Sequence, residues 1–268
     1  MCSRFSRNYW IFMPPEPLFS IVTCTWNSVA TLPDTLASLR AQTCRDVEHV
    51  FVDGGSTDGT LALLEAFPGN SRILHGVRGG ISHAMNRGVD AATGAIIAHL
   101  HADDYYAEPD VLASVAAAMA ASGRAWLVGE IAVLTEGGLL PPQPRRAYSY
   151  RALAAGRAFI PHPATFVRRT LFDQAGGFDE QLRYAMDIDL WMRLAARFPP
   201  VVLPRVLAVF REHAGSVSSA NKLLARQEEW RVRRRYAGAA PLAFAMYCLR
   251  YLKRTRYLRH RTAGPATF

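Results

Sequence analysis

The feature that most constrains this chain is a repeated unit. A short apolar run breaks off into a polar or glycine-rich cluster, and a stretch with apolar residues at helical spacing follows. Residues 18–24 read as a buried strand ending in Thr25-Trp26-Asn27, after which Leu32, Leu36 and Leu39 recur at helical spacing behind Thr31 as an N-cap. Residues 47–52 form a second strand, which stops in a run of turn formers from Asp53 to Thr60. A short helix is expected over 61–67, a third strand over 72–75, and a helix over 80–92 with Ile81, Ala84, Met85, Gly88 and Val89 on one side. A fourth strand over 95–101 runs into Ala102-Asp103-Asp104. Strand alternating with helix implies a mainly parallel sheet covered by helices on both faces. Such sheets bind ligands beyond the carboxyl ends of their strands, where the three polar clusters fall.

The second half is less regular. Helices are expected over 111–121, 170–175 (closed by Gly176-Gly177) and 185–197, and strands over 126–134 and 206–212. Residues 141–156 read as a loop. With 268 residues and half of them apolar, there is ample chain for a core. The four cysteines (Cys2, Cys24, Cys44, Cys248) are scattered, which excludes a C-x-x-C knuckle and fits a reducing compartment. Residues 1–17 read as an extension without a signal-peptide core, and no apolar run approaches a membrane span.

Charge is concentrated at one end. Residues 222–261 carry twelve Lys and Arg against only Glu228 and Glu229, a net of +10, while the rest of the chain is close to neutral. Leu242, Phe244, Met246, Tyr247, Leu249, Tyr251, Leu252, Tyr257 and Leu258 are interleaved with these charges. That mixture suits an amphipathic helix at an anionic bilayer interface, or one whose apolar side packs on the body of the protein. No nucleic-acid-binding motif accompanies the charge. The expected division is an extension over 1–17, a catalytic domain over 18–220 and a basic helical tail over 221–268.

Asp103 and Asp104 place two like charges side by side just past an apolar strand. Mg²⁺ or Mn²⁺ would explain the pair, because hard cations take carboxylate oxygens and complete their shell with substrate phosphate. A solvated turn acid next to a helix cap is the plain alternative. The spacing His99-x-His101-x-Asp103-Asp104 also resembles the H-x-H-x-D-H pattern of dinuclear metallo-hydrolases, with Asp104 in place of the last His. Two histidines alternating along a strand share one face, so they could be ligands, pocket lining or core histidines.

Taken together, Ser20-Ile-Val-Thr-Cys-Thr-Trp-Asn27, Val52-Asp-Gly-Gly-Ser-Thr-Asp-Gly-Thr60, Gly80-Ile-Ser-His-Ala-Met-Asn-Arg-Gly88, Ala92-Thr-Gly94 and Ala102-Asp-Asp104 resemble the family 2 glycosyltransferases of bacterial polysaccharide synthesis. The resemblance continues through Pro161-His-Pro-Ala-Thr-Phe-Val-Arg-Arg169, Gly176-Gly-Phe-Asp179, Met186-Asp-Ile-Asp-Leu-Trp191 and Phe210-Arg-Glu-His-Ala-Gly-Ser216, covering roughly residues 18 to 220. It implies a GT-A fold and inverting transfer of a sugar from a nucleotide-diphosphate sugar to a glycan or lipid-linked acceptor. It also implies Mg²⁺ or Mn²⁺ as cofactor. By this resemblance the donor set is Thr23, Cys24, Thr25, Trp26, Asn27, Asp53, Gly54, Arg78 and Asp103. The metal set is Asp104 and Asp103 with His213. His162, Arg211 and His213 are expected near the acceptor or the phosphates.

Inverting transfer is a single in-line displacement and needs one general base. The resemblance points to Asp187, with Asp189 as the alternative. Two helical positions apart, these side chains diverge by about 200°. Arg193 stands four residues after Asp189, well placed for an ion pair, whereas the matching partner of Asp187 is Trp191. Three positions depart from the family's usual acids: Gly54, His83 and Ala95. His83 could touch a phosphate or a sugar hydroxyl instead. Trp26 could border the nucleotide base or be a core aromatic. The expected setting is cytoplasmic, with the tail able to hold the enzyme at the inner face of the membrane. A metallo-hydrolase, a sugar-nucleotide nucleotidyltransferase and a noncatalytic donor-binding module remain as alternatives.

Overall fold

The computed structural model describes residues 17–140, 148–212 and 221–262. Residues 1–16 of the expected extension, and His213, lie outside them. The chain is α/β and forms one nine-stranded sheet. Its first half contains β1 (Phe19–Thr25), α1 (Leu32–Arg40), β2 (Val47–Asp53), α2 (Thr60–Glu65), β3 (Ser71–Leu74), α3 (Ile81–Ala91), β4 (Ile96–His99), β5 (Tyr105–Tyr106) and α4 (Val111–Ser122). The second half contains β6 (Trp126–Thr135), β7 (Gly138–Leu140), α5 (Tyr150–Ala154), β8 (Thr165–Arg168), α6 (Arg169–Ala175), α7 (Met186–Arg197), β9 (Val201–Arg211), α8 (Lys222–Arg235) and α9 (Pro241–Thr262).

The sheet runs β3-β2-β1-β4-β8-β6-β9-β5, with β7 paired to β6. β3, β2, β1 and β4 are mutually parallel. β8 runs antiparallel between β4 and β6, and β9 is parallel to β6. All seven residues of β1 and of β2 are buried, as expected for strands covered on both faces. Alternate residues feed two cores. Phe19, Ile21, Val47 and Phe51 pack with Leu32, Leu36, Leu64 and Val115 of α1, α2 and α4. Val22, Cys24, Val50 and Val52 pack with Met85, Leu171, Leu190 and Trp191 of α3, α6 and α7. The sheet is thus the middle of three layers.

A buried carboxylate locks the start of β4. Glu48 on β2 accepts hydrogen bonds from Ser20 Oγ, from the Thr93 N–H and hydroxyl, and from the Gly94 N–H (3.0 Å). A Cβ on Gly94 would stand 2.5 Å from Ser20 Oγ and 2.7 Å from the Phe19 carbonyl carbon, so the backbone passes there only as glycine. Those hydrogen bonds hold the Glu48 carboxyl below its ordinary value against the opposing effect of burial. The Ala92-Thr-Gly94 segment is therefore a docking element, and the anchor it fits is an acid 45 residues earlier.

Several sequence expectations are corrected. Part of the 141–156 loop is helix α5, whose Ser149 hydroxyl caps the Ala152 N–H. Thr31 stands at the start of α1, but its side chain does not cap the helix. The fourth strand stops at His99, so His101 lies beyond it. The last strand begins at Val201, five residues earlier than expected. Pro204 interrupts its pattern, and the β6–β9 ladder shifts register between Val128 and Ile131.

Candidate active site

The donor side is built where β1 and β2 end. Asp53 is fully buried, and its carboxylate accepts from Thr25 Oγ1 (2.9 Å), the Gly55 and Ser56 N–H groups (2.8 Å each) and Ser56 Oγ (2.5 Å). These bonds hold its carboxyl below the usual value although burial pulls the other way. Asp53 thus ties the two strand ends together. Asn27, at φ 49°, repeats the tie: its N–H donates to Ser56 Oγ (2.8 Å) and its Oδ1 accepts from the Thr57 N–H (2.9 Å). The Gly54 N–H donates to the Thr25 carbonyl (2.9 Å).

This cross-linked rim leaves Trp26 70% exposed, so it is no core aromatic. Arg78 is exposed as well, and its guanidinium stands over Gly55. Thr23 and Cys24, also expected in the donor set, precede this rim on β1. Both side chains are buried below the rim, and burial pushes the Cys24 thiol up to about 12. His83 pairs with Glu180 (3.0 Å), which also accepts from Asn86.

Asp103 and Asp104 sit in the turn after β4. Asp104 is 2% exposed; its Oδ1 accepts the Arg211 N–H (3.0 Å) and its carbonyl accepts the Thr35 hydroxyl (2.7 Å). Burial first, and the charge of Asp103 second, push the Asp104 carboxyl well above the usual carboxylate range. The Arg211 guanidinium reaches back to the Asp103 carbonyl (3.2 Å) and pairs with Asp34 on α1. The residue expected at the phosphates is therefore engaged by an acid that the sequence did not single out.

Next to the carboxylates lie three imidazoles. His162 is 5.3 Å from His99 between ring centroids and stacks on His101 at 5.1 Å with the planes 3° apart. His99 Nε2, His101 Nδ1 and both nitrogens of His162 are shielded from solvent and have no hydrogen-bond partner among the described residues. Burial pushes His99 down to about 3 and His162 well below its ordinary value. His99 and His101 both meet His162, although His101 lies beyond the strand. However, the lone pairs of parallel stacked rings run side by side and do not converge. Among the described residues, no three His, Cys, Asp or Glu side chains could hold a metal ion together. The dinuclear hydrolase arrangement is not assembled. His162 lies against Trp191 of α7 (6.0 Å) and is not on an open loop.

Helix α7 carries the two candidate bases, and they have opposite surroundings. Asp189 is 3% exposed and fully engaged. It pairs with Arg193 (2.8 Å), accepts the Tyr236 hydroxyl (2.8 Å) and lies 3.3 Å from Arg235. Asp187 is half-buried and its carboxylate accepts only the Ile188 N–H (2.7 Å) among the described hydrogen bonds. Burial, reinforced by the charge of Glu229, pushes its carboxyl up to about 6.

A cleft of about 400 Å³ opens beside α7, lined by Tyr184, Ile188, Phe210, Glu212, Lys222, Arg226 and Glu229. Tyr184 and Ile188 bracket Asp187 in sequence. Phe210 and Glu212 flank Arg211, whose N–H holds Asp104. The cleft thus lies between the helix of Asp187 and the strand that grips the carboxylate pair.

Helix α8, in the basic tail, supplies what the sequence reading missed. The residue at the start of α7, Ala185, makes no side-chain cap. Instead Glu228 accepts the N–H groups of Arg183 (3.1 Å), Tyr184 (2.5 Å) and Ala185 (2.8 Å). Exposed donors at a helix start favour such a negative charge. Glu229, Arg235 and Tyr236 complete the surroundings of Asp187 and Asp189. The available signal was that Glu228 and Glu229 are the only acids in a strongly basic stretch.

Comparison with known proteins bears on the family and the fold. The family model "Glycosyl transferase family 2" matches residues 20–176. A PGL/p-HBAD biosynthesis glycosyltransferase of Mycobacterium bovis is 37% identical over 212 residues, covering 74% of this chain and 78% of that protein. Among solved structures, S. aureus TarS 1–349 with UDP-GlcNAc superposes with a TM-score of 0.75 at 20% identity, over 92% of this chain and 76% of that one. In its UDP complex the match spans 64% of the TarS chain. The mannosyltransferase PcManGT from Pyrobaculum calidifontis, in complex with GDP-Man and Mn²⁺, gives a TM-score of 0.64 at 19% identity, over 94% and 77%. The fold is GT-A, and the chain is a glycosyltransferase belonging to glycosyl transferase family 2.

Proposed function

We propose that this enzyme transfers a sugar, with inversion, from a nucleotide-diphosphate sugar to a hydroxyl of a glycan or lipid-linked acceptor, with Asp187 as the general base. The observation that carries the reading is the contrast on α7. Asp189 is saturated by Arg193, Arg235 and Tyr236, whereas Asp187 is half-buried beside the cleft and has a carboxyl pushed up to about 6. A carboxylate of that basicity is mostly ionised at neutral pH yet accepts a proton more readily than an ordinary Asp, which suits a general base. The acceptor hydroxyl attacks the anomeric carbon from the face opposite the diphosphate. Its proton passes to Asp187 as the new C–O bond forms, and the old anomeric C–O bond breaks with its electrons leaving on the nucleoside diphosphate.

The rim of Thr25, Trp26, Asn27, Asp53 and Gly54 would seat the nucleotide, with Arg78 the exposed cation above it. The UDP-GlcNAc and GDP-Man complexes of the structural neighbours support this class of donor. Asp103 and Asp104 fit Mg²⁺ or Mn²⁺. They offer adjacent oxygen donors, and a cation there would offset the burial and the Asp103 charge that raise the Asp104 carboxyl. The bound cation would offset charge on the donor diphosphate and on the departing nucleotide. His213 is a further candidate ligand, outside the described residues. His162 would form part of the floor beneath the sugar, and Arg211 would order the carboxylate turn.

The test is Asp187→Asn in the full chain. Nucleoside diphosphate release from UDP- and GDP-sugars should fall about 10²–10⁴-fold, while thermal stabilisation by the nucleotide with Mn²⁺ persists. Undiminished release would move the base elsewhere.

A further inference from the structure

The C-terminal helix α9 has two apolar faces, and among the described residues only one is covered. The inner face carries Ala243, Tyr247 and Thr255, all buried. It is held by Trp230 of α8 packing on Phe244 (6.4 Å) and Tyr251 (6.1 Å), and by the Arg233 guanidinium 4.8 Å over the Tyr247 ring. Tyr247 also closes on the turn after α5, where a Cβ on Gly156 would come within 2.8 Å of its ring. The side that could have packed on the body therefore does so.

Leu242, Met246, Leu249 and Leu252 are left facing outward, at 83, 42, 70 and 59% exposure. Their spacing of four, three and three residues puts them along one stripe. Lys253, Arg254 and Arg256 are exposed beside its far end. The helix sequence from 241 to 262 contains six Lys and Arg and no acid.

We infer that α9 is a membrane-docking helix. Its outer stripe inserts into the interface of an anionic bilayer, and the flanking Lys and Arg side chains pair with lipid headgroups. An outward apolar stripe beside same-sign basic charge is the combination that anionic lipid recognises. A second copy of the chain fits poorly: two such faces would bring base against base with no acid on either helix to pair. Spanning is excluded for this element, since no helix among the described residues is long and apolar enough to cross a membrane. The docked orientation would bring lipid-borne acceptors to an enzyme whose α8, the partner of α9, lines the cleft beside Asp187.

Flotation of the purified full chain on vesicles tests this separately from catalysis. The vesicles are phosphatidylcholine alone, or phosphatidylcholine mixed with phosphatidylglycerol. The protein should float with the phosphatidylglycerol vesicles only, and less at high salt. Leu249→Glu with Leu252→Glu, both exposed, should cut binding at least tenfold without changing the thermal melt. Lys253→Glu with Arg254→Glu should cut it about fivefold or more per residue. Asp187→Asn should float like the wild type. Equal flotation of the wild type and the leucine pair variant would overturn the proposal. So would a dimer, seen in sedimentation, that the leucine variant splits while vesicles capture nothing.

Discussion

Glu228, on α8, accepts the backbone N–H of Ala185 at 2.8 Å, two residues ahead of Asp187. The segment that looks like an appended basic tail thus holds the start of the helix that carries the proposed base. Replacing Glu228 with Ala leaves three N–H groups without their charged acceptor. We expect a loss of about 1–3 kcal/mol in stability and a fall in kcat larger than any change in KM. Melting and nucleoside diphosphate release measure the two. Unchanged kcat in a folded Glu228→Ala protein would show that the helix start is set by something else.

Asp187 should also leave a signature in stability. Its folded carboxyl stands near 6 against an ordinary 3.8, so the folded protein holds that proton more tightly than the unfolded chain does. The penalty for ionising it is absent at pH below the ordinary value, grows as pH rises, and is complete once pH has passed through the folded value. Asp187→Asn should therefore raise the melting temperature at about pH 8, by a stabilisation on the order of 1–3 kcal/mol, and leave it nearly unchanged at about pH 4. A melting shift independent of pH would contradict the raised value.

Asp189→Asn should behave in the opposite way. It strips the buried partner from Arg193 and Arg235, and breaking a buried ion pair on one side costs about 3–5 kcal/mol. Lost activity would then track lost folding. A stable Asp189→Asn protein with no turnover would make Asp189 the base instead.

Gly94→Ala tests the anchor at the start of β4. The added methyl meets Ser20 and the Phe19 backbone at 2.5–2.7 Å, within a segment whose N–H groups Glu48 fixes. We expect destabilisation of more than about 2 kcal/mol, read in a denaturant melt, and no soluble gain in any condition.

Much of this architecture is legible in the sequence because the parallel half is local. Strands such as β1 are mostly apolar runs, and they end in residues that cannot continue them, as β2 does at Asp53-Gly54-Gly55. The three polar clusters fall at the strand ends for that reason. The Asp189–Arg193 pair was legible from helical spacing alone. What was not legible depends on distant partners. Nothing near Arg211 indicates that its guanidinium turns to Asp34, 177 residues earlier. Nothing near His162 shows that it closes a stack with His101. Thr23 and Cys24 entered the expected donor set through the family resemblance. The period-two alternation of β1, buried on both faces, puts their side chains inside. The antiparallel β8, slotted between β4 and β6, is likewise set by ladder pairing across the sheet and not by its four-residue sequence.

The most direct measurement is the pH profile of nucleoside diphosphate release by the full chain with Mn²⁺, compared between wild type and Glu229→Gln. Glu229 raises the Asp187 carboxyl through its charge, and removing that charge also leaves Arg233 unpaired beside it, which lowers the carboxyl further. If Asp187 takes the acceptor proton, the wild-type rate falls on the acid side with a midpoint near 6, and Glu229→Gln moves that midpoint to lower pH. An acid limb at the same pH in both proteins would contradict Asp187 as the base.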